Sequence, residues 1–145
     1  KSNFLVNYEV THHGPTRLMT PVFFVEIGDG GEQWEDPVAN VMVSRAVHMF
    51  VDKKVEDAPS ALGFGGEHYA ERFERRVWSE GWAFGHMIPE RDFEHLTPEL
   101  LDMCIEKTMP KVDFVVVDKR KKGTEEQRKV FFKVFEDKGI EIKKL

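Results

Sequence analysis

The run Val112-Asp113-Phe114-Val115-Val116-Val117 constrains the fold more than any other stretch of this chain. β-Branched and aromatic residues suit a pleated surface and fit a helix poorly, so the run predicts a strand. The segment after it predicts a helix. Thr124-Glu125-Glu126-Gln127 has the spacing of a capping box, in which hydroxyl and amide side chains satisfy backbone N–H groups of the first turn. Val130, Phe131, Val134 and Phe135 then recur at helical spacing. Gly139 supplies the stop, and Ile140-Glu141-Ile142 reads as a last strand.

The same alternation runs through the earlier chain. Residues 4–11 and 21–27 read as strands, and Gly28-Asp29-Gly30-Gly31 as a loop. Asp36-Pro37 places an N-cap and a first-turn proline at the head of a helix reaching about Val51. Ser60–Phe64 and residues 82–88 are short strands, and Thr97-Pro98 opens a helix that Pro110 closes. Strands separated by helices of this length imply an α/β fold, a mostly parallel mixed sheet covered on both faces. A length of 145 residues sets the expectation of a single α/β domain over residues 1–145.

Charge is distributed unevenly. Residues 111–145 carry 11 Lys/Arg against 7 Asp/Glu, whereas residues 1–110 carry 10 against 19. That division excludes a chain that binds nucleic acid over its whole surface and leaves room for a local basic patch. The one cysteine, Cys104, excludes an internal disulfide and suits a reducing compartment; its place in an amphipathic pattern makes it buried filler. No apolar stretch is long enough to span a bilayer, and a cytoplasmic location is expected.

Chemistry-bearing residues gather where strands are predicted to end. Asn7-Tyr8-Glu9-Val10-Thr11-His12-His13-Gly14-Pro15-Thr16 starts as a strand and finishes in two histidines at a Gly-Pro turn. Gly63-Phe64-Gly65-Gly66-Glu67-His68-Tyr69 repeats that plan, and His86 lies near the end of a third strand. Polar groups at strand ends are how α/β proteins build sites. Glu26 sits inside an apolar run, where a lone carboxylate is costly. Asp118-Lys119-Arg120-Lys121-Lys122-Gly123 joins a strand to a helix N-terminus; it reads either as a solvated turn or as a phosphate site. Arg72, Arg75 and Arg76 alternate with Glu71 and Glu74 and read as an ordinary helix surface.

Four of these motifs, His12-His13-Gly14-Pro15-Thr16 after its Asn-Tyr-Glu strand, PVFFVEIG, GFGGEHYA and AFGHMIP, occur in order with natural spacing. Together they resemble the archaeal and plant type of D-aminoacyl-tRNA deacylase. One departure is local: the family tends to place proline after His-Tyr-Ala, where this chain has Glu71 and Arg72. The resemblance covers roughly the later half of the family's length. It implies a missing N-terminal half of the same protein, with exposed surface that favours self-association. It further implies a three-layer α/β/α sandwich of the phosphorylase/hydrolase-like kind, zinc as cofactor, and hydrolysis of the ester between a D-amino acid and tRNA.

Ester hydrolysis needs an activated water and a stabilised oxyanion, which a zinc on about three protein ligands supplies. His12, His13, His68 and His86 are the candidate ligands, and His13, His68 and Glu26 the candidate catalytic groups. Adjacent strand residues face opposite ways, so His12 and His13 are not both expected on one metal. Gly65 and Gly66 are expected to approach substrate with their N–H groups, Tyr69 to contact it, and Lys119, Arg120, Lys121 and Lys122 to meet tRNA phosphates. The alternatives are another metallohydrolase or phosphorylase-like enzyme with a small substrate, and a non-catalytic RNA-binding domain.

Overall fold

The computed structural model describes residues 4–15, 17–28, 30–53, 56–120 and 123–145. Those within 1–5 and 22–57 form one compact unit, and those within 6–21 and 58–145 another. In the smaller unit, α1 (Gly31–Glu35) leads into α2 (Pro37–Asp52). The junction is set as the sequence predicts: the Asp36 carboxylate accepts from the N–H of Val38 at 2.7 Å and that of Ala39 at 3.4 Å, and Pro37 occupies the first turn. Trp34 donates its indole N–H to the Ile27 carbonyl, and Phe23 meets Phe50 edge to face. Residues 21–27 are not a strand. Their composition suits one, but a strand exists only through its ladder, and no partner is present among the described residues.

The larger unit is built on four parallel strands, β1 (Ser60–Phe64), β2 (Ala83–Ile88), β3 (Phe114–Val117) and β4 (Glu141–Lys144), in the order β2-β1-β3-β4. Period-two alternation sorts their side chains into two cores. Leu62, Phe64, Val115 and Val117 pack with Leu101 of α4 (Pro98–Lys107) and with Phe131 and Phe135 of α5 (Glu125–Asp137). Ala61, Phe114 and Val116 pack on the other face with Phe73 of α3 (Glu71–Glu80). This is the expected α/β/α layering. The capping box at Thr124 and Gln127 forms in full.

Two further segments depart from the sequence reading. α3 was legible only as charged surface, because Phe73 is its one buried residue and Ala70 gives it no side-chain cap. Residues 4–11 form no strand; they contribute a single antiparallel bridge, Glu9 to Tyr69.

β2 carries a bulge at Gly85: Ala61 pairs with Phe84, and Leu62 already with His86. The extra residue puts Phe84 and Met87, three apart, on the α3 side of the sheet. It also lets Thr108 press against bare backbone, since a Cβ on Gly85 would stand 2.3 Å from the Thr108 methyl and 2.7 Å from its hydroxyl. Gly85→Ala is therefore expected to lower stability by about 1–3 kcal/mol, the usual range for overpacking. Chemical denaturation checks this, and Thr108→Ser in the same background should recover part of the loss by removing the methyl.

Candidate active site

Because the strands are parallel, β1 and β3 release the chain at the same edge of the sheet. After β1, Gly65 and Gly66 turn with φ of 98° and 88°. The Gly65 N–H donates to the Ile88 carbonyl at 2.8 Å, and the Gly66 carbonyl accepts from the Glu90 N–H at 3.2 Å. These bonds tie the exits of β1 and β2 together. They also engage the Gly65 N–H that the sequence reading offers to an oxyanion.

His68 and Tyr69 come next, and residues 8–12 lie alongside them. Ala70 N–H donates to the Tyr8 carbonyl at 2.9 Å, and Val10 N–H to the His68 carbonyl at 3.0 Å. Val10 is 2% exposed and anchors this segment in the α3-side core. Thr11 fastens it to β2 twice: its N–H donates to the Met87 carbonyl at 2.8 Å, and its hydroxyl accepts from the Met87 N–H at 3.1 Å. With Val10 turned inward, its neighbour Glu9 meets the histidines.

The Glu9 carboxylate spans two imidazoles. One oxygen is 2.8 Å from His12 Nε2, and the other 3.4 Å from His68 Nε2. The side chains of His12, Glu9 and His68 are 20%, 28% and 36% exposed, so the cluster is open to solvent yet half withdrawn from it. A carboxylate only accepts, so the His12 contact is a hydrogen bond when its Nε2 carries the ring proton, and a metal held here would use the lone pair of that nitrogen instead. One donor atom from each of the three residues falls within 4.8 Å of the others. Two imidazoles and one carboxylate are a donor set that fits a catalytic zinc, with a coordination position left for water.

Sequence reasoning did not single out Glu9 as a site residue. The signal was present, because a carboxylate inside Asn7-Tyr8-Glu9-Val10, three residues before His12, is as anomalous as Glu26. His13 lies against His12 with ring centroids 4.1 Å apart and planes tilted by 48°. The expectation that the two point apart assumed a continuing strand, whereas the chain turns here. Tyr69 is 52% exposed and meets the His68 ring edge to face at 5.0 Å. Glu26 is exposed and belongs to the smaller unit.

Lys119 and Arg120 form a turn directly after β3; Lys121 and Lys122 lie outside the described residues. The turn is held at both ends. Asp118, 4% exposed, takes an ion pair from Arg72 and the backbone N–H of Arg120. Gly123 donates its N–H to Glu90 and accepts from Arg128.

His86 is not part of the cluster. Its Nδ1 is 3.0 Å from the Thr108 hydroxyl, which donates to the Cys104 carbonyl. Burial, and then the charge of Lys107, hold its pKa below the ordinary 6.5. Cys104, likewise half-buried, has its thiol pKa raised by burial. A lowered folded-state pKa means that the unfolded chain binds the proton more readily. The folded state thus keeps its full advantage above pH 6.5 and loses it as pH falls from there toward the lowered value. Thermal midpoints recorded between pH 8 and pH 5 (on the order of the histidine range) should fall less steeply in His86→Gln than in the parent.

Comparison with known proteins agrees with the fold and motifs. A family model for D-aminoacyl-tRNA deacylase matches residues 1–143. A D-aminoacyl-tRNA deacylase of Methanosarcina barkeri is 38% identical over 139 residues, which cover 96% of this chain and 44% of that protein. Another, of Thermococcus onnurineus, is 37% identical over 143 residues, covering 97% and 51%. The chain thus spans about half the length of these curated relatives. A crystal structure described as a conserved protein of unknown function aligns with a TM-score of 0.85 at 31% identity, over 95% of this chain and 48% of that one. With its motifs, its layered parallel sheet and these relatives in agreement, the chain belongs to the D-aminoacyl-tRNA deacylase family.

Proposed function

We propose that this chain carries the hydrolytic centre for the ester that joins a D-amino acid to the terminal adenosine of tRNA, releasing both. The observation that supports this most directly is the Glu9 carboxylate held between His12 and His68 in a chain of this family. Glu9 fixes the orientation of the His12 and His68 rings, and His13 beside them accepts the proton of the attacking water and returns it to the departing ribose oxygen. His13 and Tyr69 border the cluster and offer ring surface to the substrate. Glu9, His12 and His68 would hold zinc, which when bound supplies Lewis acidity to the attacking water and to the developing oxyanion. Binding it would take a lone pair from each imidazole, so the metal and a protonated ring exclude each other. Lys119 and Arg120, at the same edge of the sheet, capture tRNA phosphates.

The test is deacylation of D-tyrosyl-tRNA and its L counterpart. Glu9→Gln and His68→Ala should each lower kcat by about 10²-fold or more, the usual scale for lost acid–base help. Both should lose zinc by elemental analysis while still binding unacylated tRNA. Lys119→Ala with Arg120→Ala should instead raise KM and flatten its salt dependence. Equal rates on D and L esters would point to a less specific hydrolase, and tight zinc retained in both site variants would remove these residues as ligands.

We also propose self-association through the smaller unit, whose Val22, Phe23, Phe24, Trp34, Phe50 and Val51 are all exposed. Sedimentation equilibrium should show concentration-dependent mass, and a monomer throughout would remove the idea.

A further inference from the structure

From Glu71 to Arg76 the helix α3 separates its charges by sign, with Glu80 at its end paired to Arg76. Arg72, Arg75, Arg76 and Ser79 share one flank, on one side of the buried Phe73. Glu71 and Glu74 fall on the opposite flank, where Glu74 accepts from the Tyr8 N–H and the Trp78 indole. Charges that alternate along the sequence thus sort into two flanks of the helix surface. The arginine flank, with Leu145, lines a cleft of about 280 Å³. Lys143 extends the cationic track: its ammonium lies 3.7 Å from the Phe114 ring centroid and 5.1 Å from that of Trp82, with Arg76 on the same indole at 6.0 Å.

The acids that touch this track steady it and leave donors over. Arg72 pairs with Asp118, Arg76 with Glu80, and Lys143 reaches Glu141 at 4.0 Å. A guanidinium has five N–H donors, so one carboxylate contact leaves an edge for a phosphate, and a side chain already held in place loses little freedom on binding. Arg75 is exposed. This concentration of cations stands out in a chain whose net charge is −5.

Position names the ligand. α3 starts at Glu71, immediately after His68, Tyr69 and Ala70. At about 1.5 Å per residue, Arg75 to Ser79 lie roughly 6–12 Å along the axis from that start. An RNA strand whose last nucleoside sits at the histidine cluster would carry its preceding phosphates over this flank. We propose that the Arg72–Arg75–Arg76–Ser79 cleft binds the phosphodiester backbone of the single-stranded 3′ end of tRNA, just upstream of the aminoacylated nucleoside. This rests on the proposed action on tRNA and adds a site distinct from the turn at Lys119 and Arg120.

The experiment measures binding of two labelled RNAs, unacylated tRNA and the same tRNA trimmed of its single-stranded 3′ nucleotides, across a salt series. Arg75→Ala with Arg76→Ala should weaken intact tRNA about tenfold. It should also flatten the salt slope by about 1.4, at about 0.7 per single-strand phosphate contact. On trimmed tRNA the double variant and the parent should bind alike, and inorganic phosphate at millimolar concentration (the order of weak single-ion affinity) should not compete. Lys129→Ala with Lys133→Ala on α5 controls for bulk charge and should change neither slope. Equal affinity of parent and Arg75/Arg76 variant for intact tRNA overturns the proposal, and so does an equal loss on trimmed tRNA. Competition by free phosphate would assign the cleft to small anions and overturn it as well. If the parent hydrolyses no D-aminoacyl ester yet the arginine effect on intact tRNA persists, the deacylase reading fails and the cleft stands.

Discussion

Two-sided burial of β1 and β3 governs the rest of the structure. Leu62, Val115 and Val116 have no exposed surface, and each strand is covered above and below. Strands of this kind offer no lateral place for a polar group, because an unpartnered one there would cost several kcal/mol, of order 2–7 by transfer. Polar side chains are thereby driven to the strand ends. Since the strands run parallel, the ends that matter share one edge. The Gly65–Gly66 turn, His68, Asp118 and the Lys119–Arg120 turn are all consequences of that single constraint.

Asp118 shows how the constraint is met at its hardest point. It is the first residue past β3 and almost wholly buried, so its charge requires a partner. Arg72 supplies it from the first turn of α3, and the Arg120 N–H adds a second bond. Removing one partner from such a pair typically costs about 3–5 kcal/mol. The same contact connects the helix that comes after the histidine cluster to the basic turn after β3, so two candidate site segments share one electrostatic fastening.

The regular elements were legible where local chemistry and tertiary context agree. Val115 to Val117, the Thr124–Gln127 capping box and the Asp36-Pro37 helix start each carry their signal within a few residues. Residues 4–11 and 21–27 misled for one shared reason: an apolar β-rich run states a preference, and a ladder needs a neighbour that sequence periodicity does not name. The site was half legible. His12 and His68 stood out by residue type, but Glu9 joins them only because Val10 turns inward and Thr11 latches to Met87, both long-range facts. His86, equally conspicuous in sequence, proves to be matched to Thr108 across the bulge at Gly85. The arginine flank of α3 was hidden by reading charges in linear order, where 72, 75 and 76 alternate with 71 and 74.

The segment that brings Glu9 and His12 to His68 is fastened lightly. Three backbone hydrogen bonds, the Thr11 hydroxyl, a long bond from the Tyr8 N–H to Glu74, the Tyr8–Trp78 ring contact and the buried Val10 side chain hold it beside a sheet whose own strands are secured on both sides. Proteins open locally at their least-fastened parts well below the free energy of global unfolding. Residues 8–12 can thus peel away while the four strands remain intact, dispersing the carboxylate and one imidazole in a single event. Mild heat or denaturant would then disperse the cluster before secondary structure is lost. The amides of Val10 and Thr11 would exchange with solvent hydrogen long before those of Val115 and Val116, so the cluster is less durable than the sheet it rests on.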